Sequence, residues 1–279
     1  MQSTETPGMD VIQRNFFRIL SSGAFNSQSN IEPMSPFKWR RLMQMVDAQQ
    51  VIPVFVKGIN KHSLDEGLRL PDSIIADIKA RMNDNKTLSG KVPEKVKLSS
   101  RLLNHRLKGI IHNELHSIDT SIEALDILKL IVSNSQSMLT RGMDLDGIIT
   151  LGQYLRTRGD KVDFVKLDAW LSSLMLHPMA ELQGNILISV FGFDEDELPF
   201  VTKYDQKAYK LTLRSVSDLA KDTAQEWHFK QNSACFVRNN GAVLRRNLRR
   251  SLRYVGYAPL ETVSNFANNF VRSLSEIEE

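Results

Sequence analysis

The chain has 279 residues, 42% of them apolar and 24% charged, a balance that suits one large globular domain or two modest ones and excludes a disordered or fibrous chain. Net charge is +4, yet residues 238–253 hold six arginines and no acid, which leaves the rest at −2 and excludes a generally nucleic-acid-like surface. A lone cysteine, Cys235, excludes an internal disulfide framework and reads as a small core hydrophobe between Ala234 and Phe236.

Glycine (14) and proline (9) are sparse, and turn clusters do not recur at the spacing of an all-β fold, so the fold class expected is mostly α, a compact multi-helix protein without a dominant β-sheet. After a polar leader, Val11, Ile12, Phe16, Ile19 and Leu20 recur at helical spacing, with Gly23 as the expected stop. Residues 26–36 read as a loop. Ser35 then serves as an N-cap with Pro36 at the first helical position, opening a helix that places Trp39, Leu42, Met43 and Val46 on one face. A helix over about 48–59 carries Pro53 in its first turn, where a missing N–H costs little. Pro71-Asp72 opens the next, through Ile74, Ile75, Ile78 and Met82.

Residues 84–94 are polar and contain Gly90 and Pro93, which predicts an N-terminal helical part over 1–90 and a larger part over 95–279, the two forming one domain or two. From Glu94 to Leu139 there is no proline and one glycine, so a long helix or a close pair of helices follows. Asp163 caps a helix with Phe164, Leu167, Trp170, Leu171 and Leu174; His177-Pro178 starts another that stops at Gly192. An acidic turn, 194–199, precedes helices over about 203–230, 241–254 and 259–277. The N-terminus lacks a basic leader, and the longest apolar run, Ile186 to Phe193, has eight residues against the roughly twenty a membrane span needs, so a soluble cytoplasmic protein is expected.

Three constellations carry chemistry. Asp144-Leu-Asp146 precedes an apolar run; on a strand both carboxylates would share a face and hold Mg²⁺ for nucleotidyl transfer, whereas on a helix they diverge by about 200°. Leu145, Ile148, Ile149, Gly152 and Leu155 share one helical face, which favours the helix, a reading that calls for no cofactor. His112 and His116, with His105 a further seven residues back, align on one helix face, and the pair would need a third ligand from elsewhere to hold a metal. Glu114 does not sit where a zinc-protease helix has its base.

The third constellation is a basic amphipathic helix near 241–254. Leu244, Leu248 and Leu252 repeat every four residues while Arg245, Arg246, Arg249, Arg250 and Arg253 take most of the remaining circumference. Such a helix docks on an acidic protein partner, a phosphate-bearing ligand or an anionic surface, or else packs on the core with its arginines solvated or paired to the acidic 194–197 turn. Tyr254 and Tyr257 follow it, which leaves nucleic-acid binding as a further class.

Phe16-Phe17-Arg18-Ile19-Leu20-Ser-Ser-Gly23-Ala-Phe25, the run Phe37 to Val51, Leu151-Gly-Gln-Tyr-Leu155, Val162 to Leu167, Gly192 to Phe200 and the arginine-rich tail together resemble the helical segments of an uncharacterised bacterial nucleotidyltransferase family met among surface-polysaccharide genes. That family's catalytic centre is a Lys-Gly strand followed by an Arg and an Asp-x-Asp pair in a mixed sheet. Here Lys108-Gly109 opens no such sequence. The resemblance implies a relative that keeps the helical frame without the nucleotidyl-transfer core, a non-catalytic accessory, regulatory or scaffold protein binding a partner or phosphate-bearing ligand. The competing expectation is an active Mg²⁺-dependent nucleotidyltransferase with Asp144 and Asp146 as ligands.

Overall fold

The computed structural model describes residues 10–65, 67–84, 90–218 and 248–275, and among them every regular element is helical, with no strand. In chain order the helices are α1 (Val11–Phe25), α2 (Pro36–Ala48), α3 (Ile52–Lys61), α4 (Asp72–Asp84), α5 (Arg101–Leu115), α6 (Ile122–Thr140), α7 (Leu145–Arg158), α8 (Phe164–Ser173) and α9 (His177–Phe191). They continue as α10, from 206 and described as far as 218, α11, described from 248 to 254, and α12 (Pro259–Ser275). No described helix is long and apolar enough to cross a membrane.

Several boundaries sit where side-chain chemistry puts them. Ser35 caps α2 by accepting the Lys38 N–H, Asp163 caps α8 by accepting the Lys166 N–H at 3.0 Å, and Gly192 ends α9 in the left-handed region at φ 68°. The expected long helix after Glu94 is the close pair α5 and α6. Its break needs neither glycine nor proline: the Thr120 hydroxyl donates to the carbonyls of Glu114 and Ser117, and the buried Glu114 carboxylate accepts the Ser121 N–H at 2.6 Å.

Gly23 does not stop α1. The helix runs two residues further and closes on Asn26, which takes the left-handed conformation at φ 60°. Gly23 instead lets α1 and α3 cross at backbone contact: a methyl there would collide with the Val54 carbonyl oxygen, and one on Gly58 would collide with the Ile19 carbonyl oxygen. Each helix thus supplies the gap for the other's backbone.

Of the described residues, those up to 84 together with 213–218 make one compact unit, and 90–212 with 248–275 make a second. Joining 213–218 to the first unit is an assignment that contiguity along the sequence does not anticipate. In unit 1, α1 packs on α2 and α3 around Phe16, Leu20, Trp39, Leu42, Val46 and Phe55, all at 0% exposure. Gln13 on α1 donates to the Ser217 hydroxyl at 2.9 Å. The 26–35 loop is tied down by Glu32, which receives Arg14 through two hydrogen bonds of 2.7 Å and Arg18 through a third.

Unit 2 is organised around α6, which touches α5, α7, α8, α9 and α12. Its consecutive buried residues Leu125, Ile127, Leu128, Leu130, Ile131 and Val132 leave little room for a solvent face, as expected of a central helix. One polar network crosses this core. Asn134 donates to the Gly147 carbonyl of α7 and to Gln183 of α9, both at 3.0 Å, while Gln183 donates to the Ile131 carbonyl and the Ser135 hydroxyl.

Candidate functional site: a basic cleft in unit 2

Asp144 and Asp146 fall at the start of a helix, so the strand on which a shared metal site depends does not form. Asp144 is the N-cap of α7: one carboxylate oxygen accepts the Gly147 N–H at 3.3 Å and the other meets Arg141 at 3.2 Å. Asp146 stands in the first turn, where negative charge faces the positive end of the helix dipole. Leu145, Ile148, Ile149, Gly152 and Leu155 are all buried, the face that the spacing identified. Asp163, in turn, is spent on capping α8.

His112 and His116 are both exposed on α5 and stack on each other, ring centroids 4.3 Å apart, with a ring nitrogen of His116 at 2.7 Å from the His112 carbonyl. Glu114 points the other way, buried and paired with Lys166 at 3.2 Å. Among the described residues no group of three histidine, cysteine or acidic side chains converges.

Of the arginine-rich segment, Arg245 and Arg246 lie outside the described residues, as does Cys235, while Arg249, Arg250 and Arg253 belong to α11. Of its apolar repeat, Leu244 lies outside the described residues, and the other two do not pack on the core: Leu248 is 46% exposed and Leu252 68%. What anchors α11 and its continuation is Tyr254, at 0% exposure and so withdrawn from any role in stacking on bases. Burial and the neighbouring Asp205 carboxylate, to which it donates at 3.2 Å, push the Tyr257 hydroxyl up to about 12. The acidic turn uses its last carboxylate on α7: Glu197 receives Arg156 at 2.9 Å, which holds its carboxyl below the ordinary value against the opposing effect of burial.

Arg250 donates to the Thr140 carbonyl at the C-terminal end of α6, where the helix dipole is negative. That contact puts α11 beside a cleft of about 670 Å³ formed by the start of α5, the second half of α6, and α12. Among the described residues its lining includes Lys97, Arg101 and Arg141 as cations, Asn104, Gln136 and Asn268 as amides, and Ser133, Ser137 and Thr140 as hydroxyls, with no carboxylate. Arg141 is steadied by the Ser137 hydroxyl at 3.0 Å and by Asp144. Asp144 therefore reaches this surface only by orienting an arginine.

The α12 wall, which presents Asn265 and Asn268, is held from behind by Glu261, buried at 1% exposure. Its carboxylate accepts the backbone N–H groups of Ser99 and Ser100 and the side-chain amide of Gln136, so α12 caps α5 from across the unit. Asn268 donates to the Ser99 carbonyl at 3.2 Å and Asn265 to the Leu139 carbonyl at 3.1 Å. The sequence reading missed Lys97, Arg101, Gln136 and Asn268, which are far apart in the chain. The one local signal was the density of cations at 91, 95, 97 and 101 ahead of Ser99-Ser100. No protein-family model, curated protein or solved structure matches the chain.

Proposed function

We propose that the chain is a non-catalytic accessory or regulatory protein that holds a phosphate-bearing ligand on unit 2, in the cleft between α5, α6 and α12 with the arginine helix at its edge. The observation that carries this reading is the lining itself: among the described residues, three cations with amides and hydroxyls and no carboxylate. Arginine offers a planar fork of donors that fits phosphate oxygens, and the amides and hydroxyls suit the hydroxyl groups of a sugar. Among the described residues no aromatic ring lines the cleft, so none of them would stack on a base there. A phosphorylated sugar, free or as the sugar end of a nucleotide sugar, is the class that fits, in keeping with the resemblance to a family of surface-polysaccharide genes.

Non-catalysis is supported by Asp144, whose two oxygens are already engaged by a helix cap and an arginine. Calorimetric titration of the full chain with glucose 1-phosphate, UDP-glucose and inorganic phosphate tests the proposal. A sugar phosphate should bind more tightly than inorganic phosphate, and Lys97→Gln with Arg101→Gln should weaken it at least about tenfold, equivalent to ~1.4 kcal/mol. Replacing Arg245, Arg246, Arg249, Arg250 and Arg253 together with Gln should weaken it too, with circular dichroism unchanged. Absence of heat with every probe would remove the ligand reading and leave the arginine helix as a surface for an acidic protein partner.

A further inference from the structure

α12 is amphipathic the wrong way round for a helix that belongs only to its own unit. The residues it buries are Glu261, Thr262 and Asn265, and its docking is made of hydrogen bonds from Glu261, Asn265 and Asn268 to the start of α5 and the end of α6. Of its described apolar residues, Leu260 and Phe266 are half-buried and the others look outward. Val263 is 60% exposed, Phe270 41% and Val271 64%, and Phe266 and Phe270 stack along the helix with centroids 6.3 Å apart. Leu260, Val263, Phe266, Ala267, Phe270 and Val271 all lie within about 80° of one direction at 100° per residue.

We infer that this face pairs with the same face of a second copy of the chain. Leu260, Val263, Ala267 and Phe270 follow one another at intervals of three, four and three residues, the spacing of the a and d positions of a helix-to-helix seam. The positions that flank such a seam, where charges normally select a different partner, hold Ser264, Phe266, Val271 and Ser273. With no charge there, nothing repels an identical helix and nothing encodes a distinct one. A membrane surface would instead want basic residues on the opposite face of the helix, and that face is spent on hydrogen bonds into unit 2. Because α12 is already folded and docked, association does not have to pay the cost of ordering it.

The inference is independent of the ligand reading, and its test uses the full chain. Light scattering across micromolar concentrations should show a mass rising from 31.8 kDa to twice that value. Val263→Glu with Phe270→Glu should hold the chain monomeric, with a melting temperature equal to that of the wild type at dilutions where the wild type is itself monomeric, since both side chains are exposed. In a parallel seam Ala267 faces its own copy and in an antiparallel one it faces Val263, so Ala267→Cys, alone or together with Val263→Cys, in a Cys235→Ser background should give a covalent dimer on mild oxidation. A wild-type chain that stays monomeric throughout overturns the inference. So does a dimer that survives the double glutamate substitution, or a substituted chain that melts below the dilute, monomeric wild type, the last meaning that another segment of the same chain covers the face.

Discussion

Single residues separate two kinds of glycine that look alike in the sequence. Gly58 lies against the Ile19 carbonyl, whereas Gly109, within α5, has nothing within 4 Å of where a methyl would sit. Gly58→Ala should therefore cost about 3 kcal/mol or more by overpacking, and Gly109→Ala should stabilise by about 0.5–1 kcal/mol through helix propensity; urea unfolding of the two variants reads both signs. Glu32 gives the pH counterpart. The Arg14 hydrogen bonds, against partial burial, hold its carboxyl below the ordinary 4.5. A lowered pKa in the folded chain stabilises above the ordinary value and is lost as pH falls through the lowered one. Since Glu32 is about a third exposed, Glu32→Gln should cost no more than about 1 kcal/mol near neutral pH, and the deficit should close as pH falls from the ordinary carboxylate value through the lowered one. The role of Ser35 and Asp163 as caps was legible because a cap acts on the amides two or three residues ahead. That of Gly23 was not, because its reason is a carbonyl thirty-one residues away.

Among the elements, α7 and α12 were both legible as helices, but the buried face was legible only for α7. The spacing of Leu145, Ile148, Ile149, Gly152 and Leu155 outweighed the β-branched run 148–150 because burial of one continuous stripe contributes more than intrinsic strand preference. For α12 the same rule gives the wrong face, since the apolar stripe is outward and the buried side is polar. What reverses the rule is Glu261, which satisfies the free amides at the start of α5. Glu261→Gln removes one of two carboxylate oxygens that together serve three donors and should cost about 1–3 kcal/mol, with Glu261→Ala costing more. Hydrogen exchange at Ser99 and Ser100 should rise in both variants, and unchanged protection there would remove the capping role. The apolar repeat of α11 misled in the same way: Leu248 and Leu252 recur at helical spacing and are exposed, while the anchoring residue is Tyr254.

At the scale of the whole molecule, charge is distributed so that a chain of net +4 is slightly acidic outside 238–253. Binding of a phosphorylated ligand at the unit 2 cleft should then weaken with added salt only modestly, because a compact site with few cations is screened over about 8–10 Å and displaces few counterions; affinity measured between about 50 and 500 mM salt tests this, and a steep power-law loss would point to a nucleic acid in place of a small ligand. Fold class was legible at this scale from composition and periodicity. The cleft was not, for its walls come from residues near 100, 136 and 268, and no local pattern announces that three such segments converge. One consequence of the Glu261 contact concerns how the chain is made. The carboxylate that receives the Ser99 and Ser100 amides lies 161 residues beyond Ser100; at a synthesis rate of about 5–20 residues per second, α5, capped only by its own Ser100 hydroxyl, emerges from the ribosome roughly 8–30 s before that carboxylate does. Throughout that interval those two amides have only water to bind in its place, and the cleft beside them has only two of its three walls.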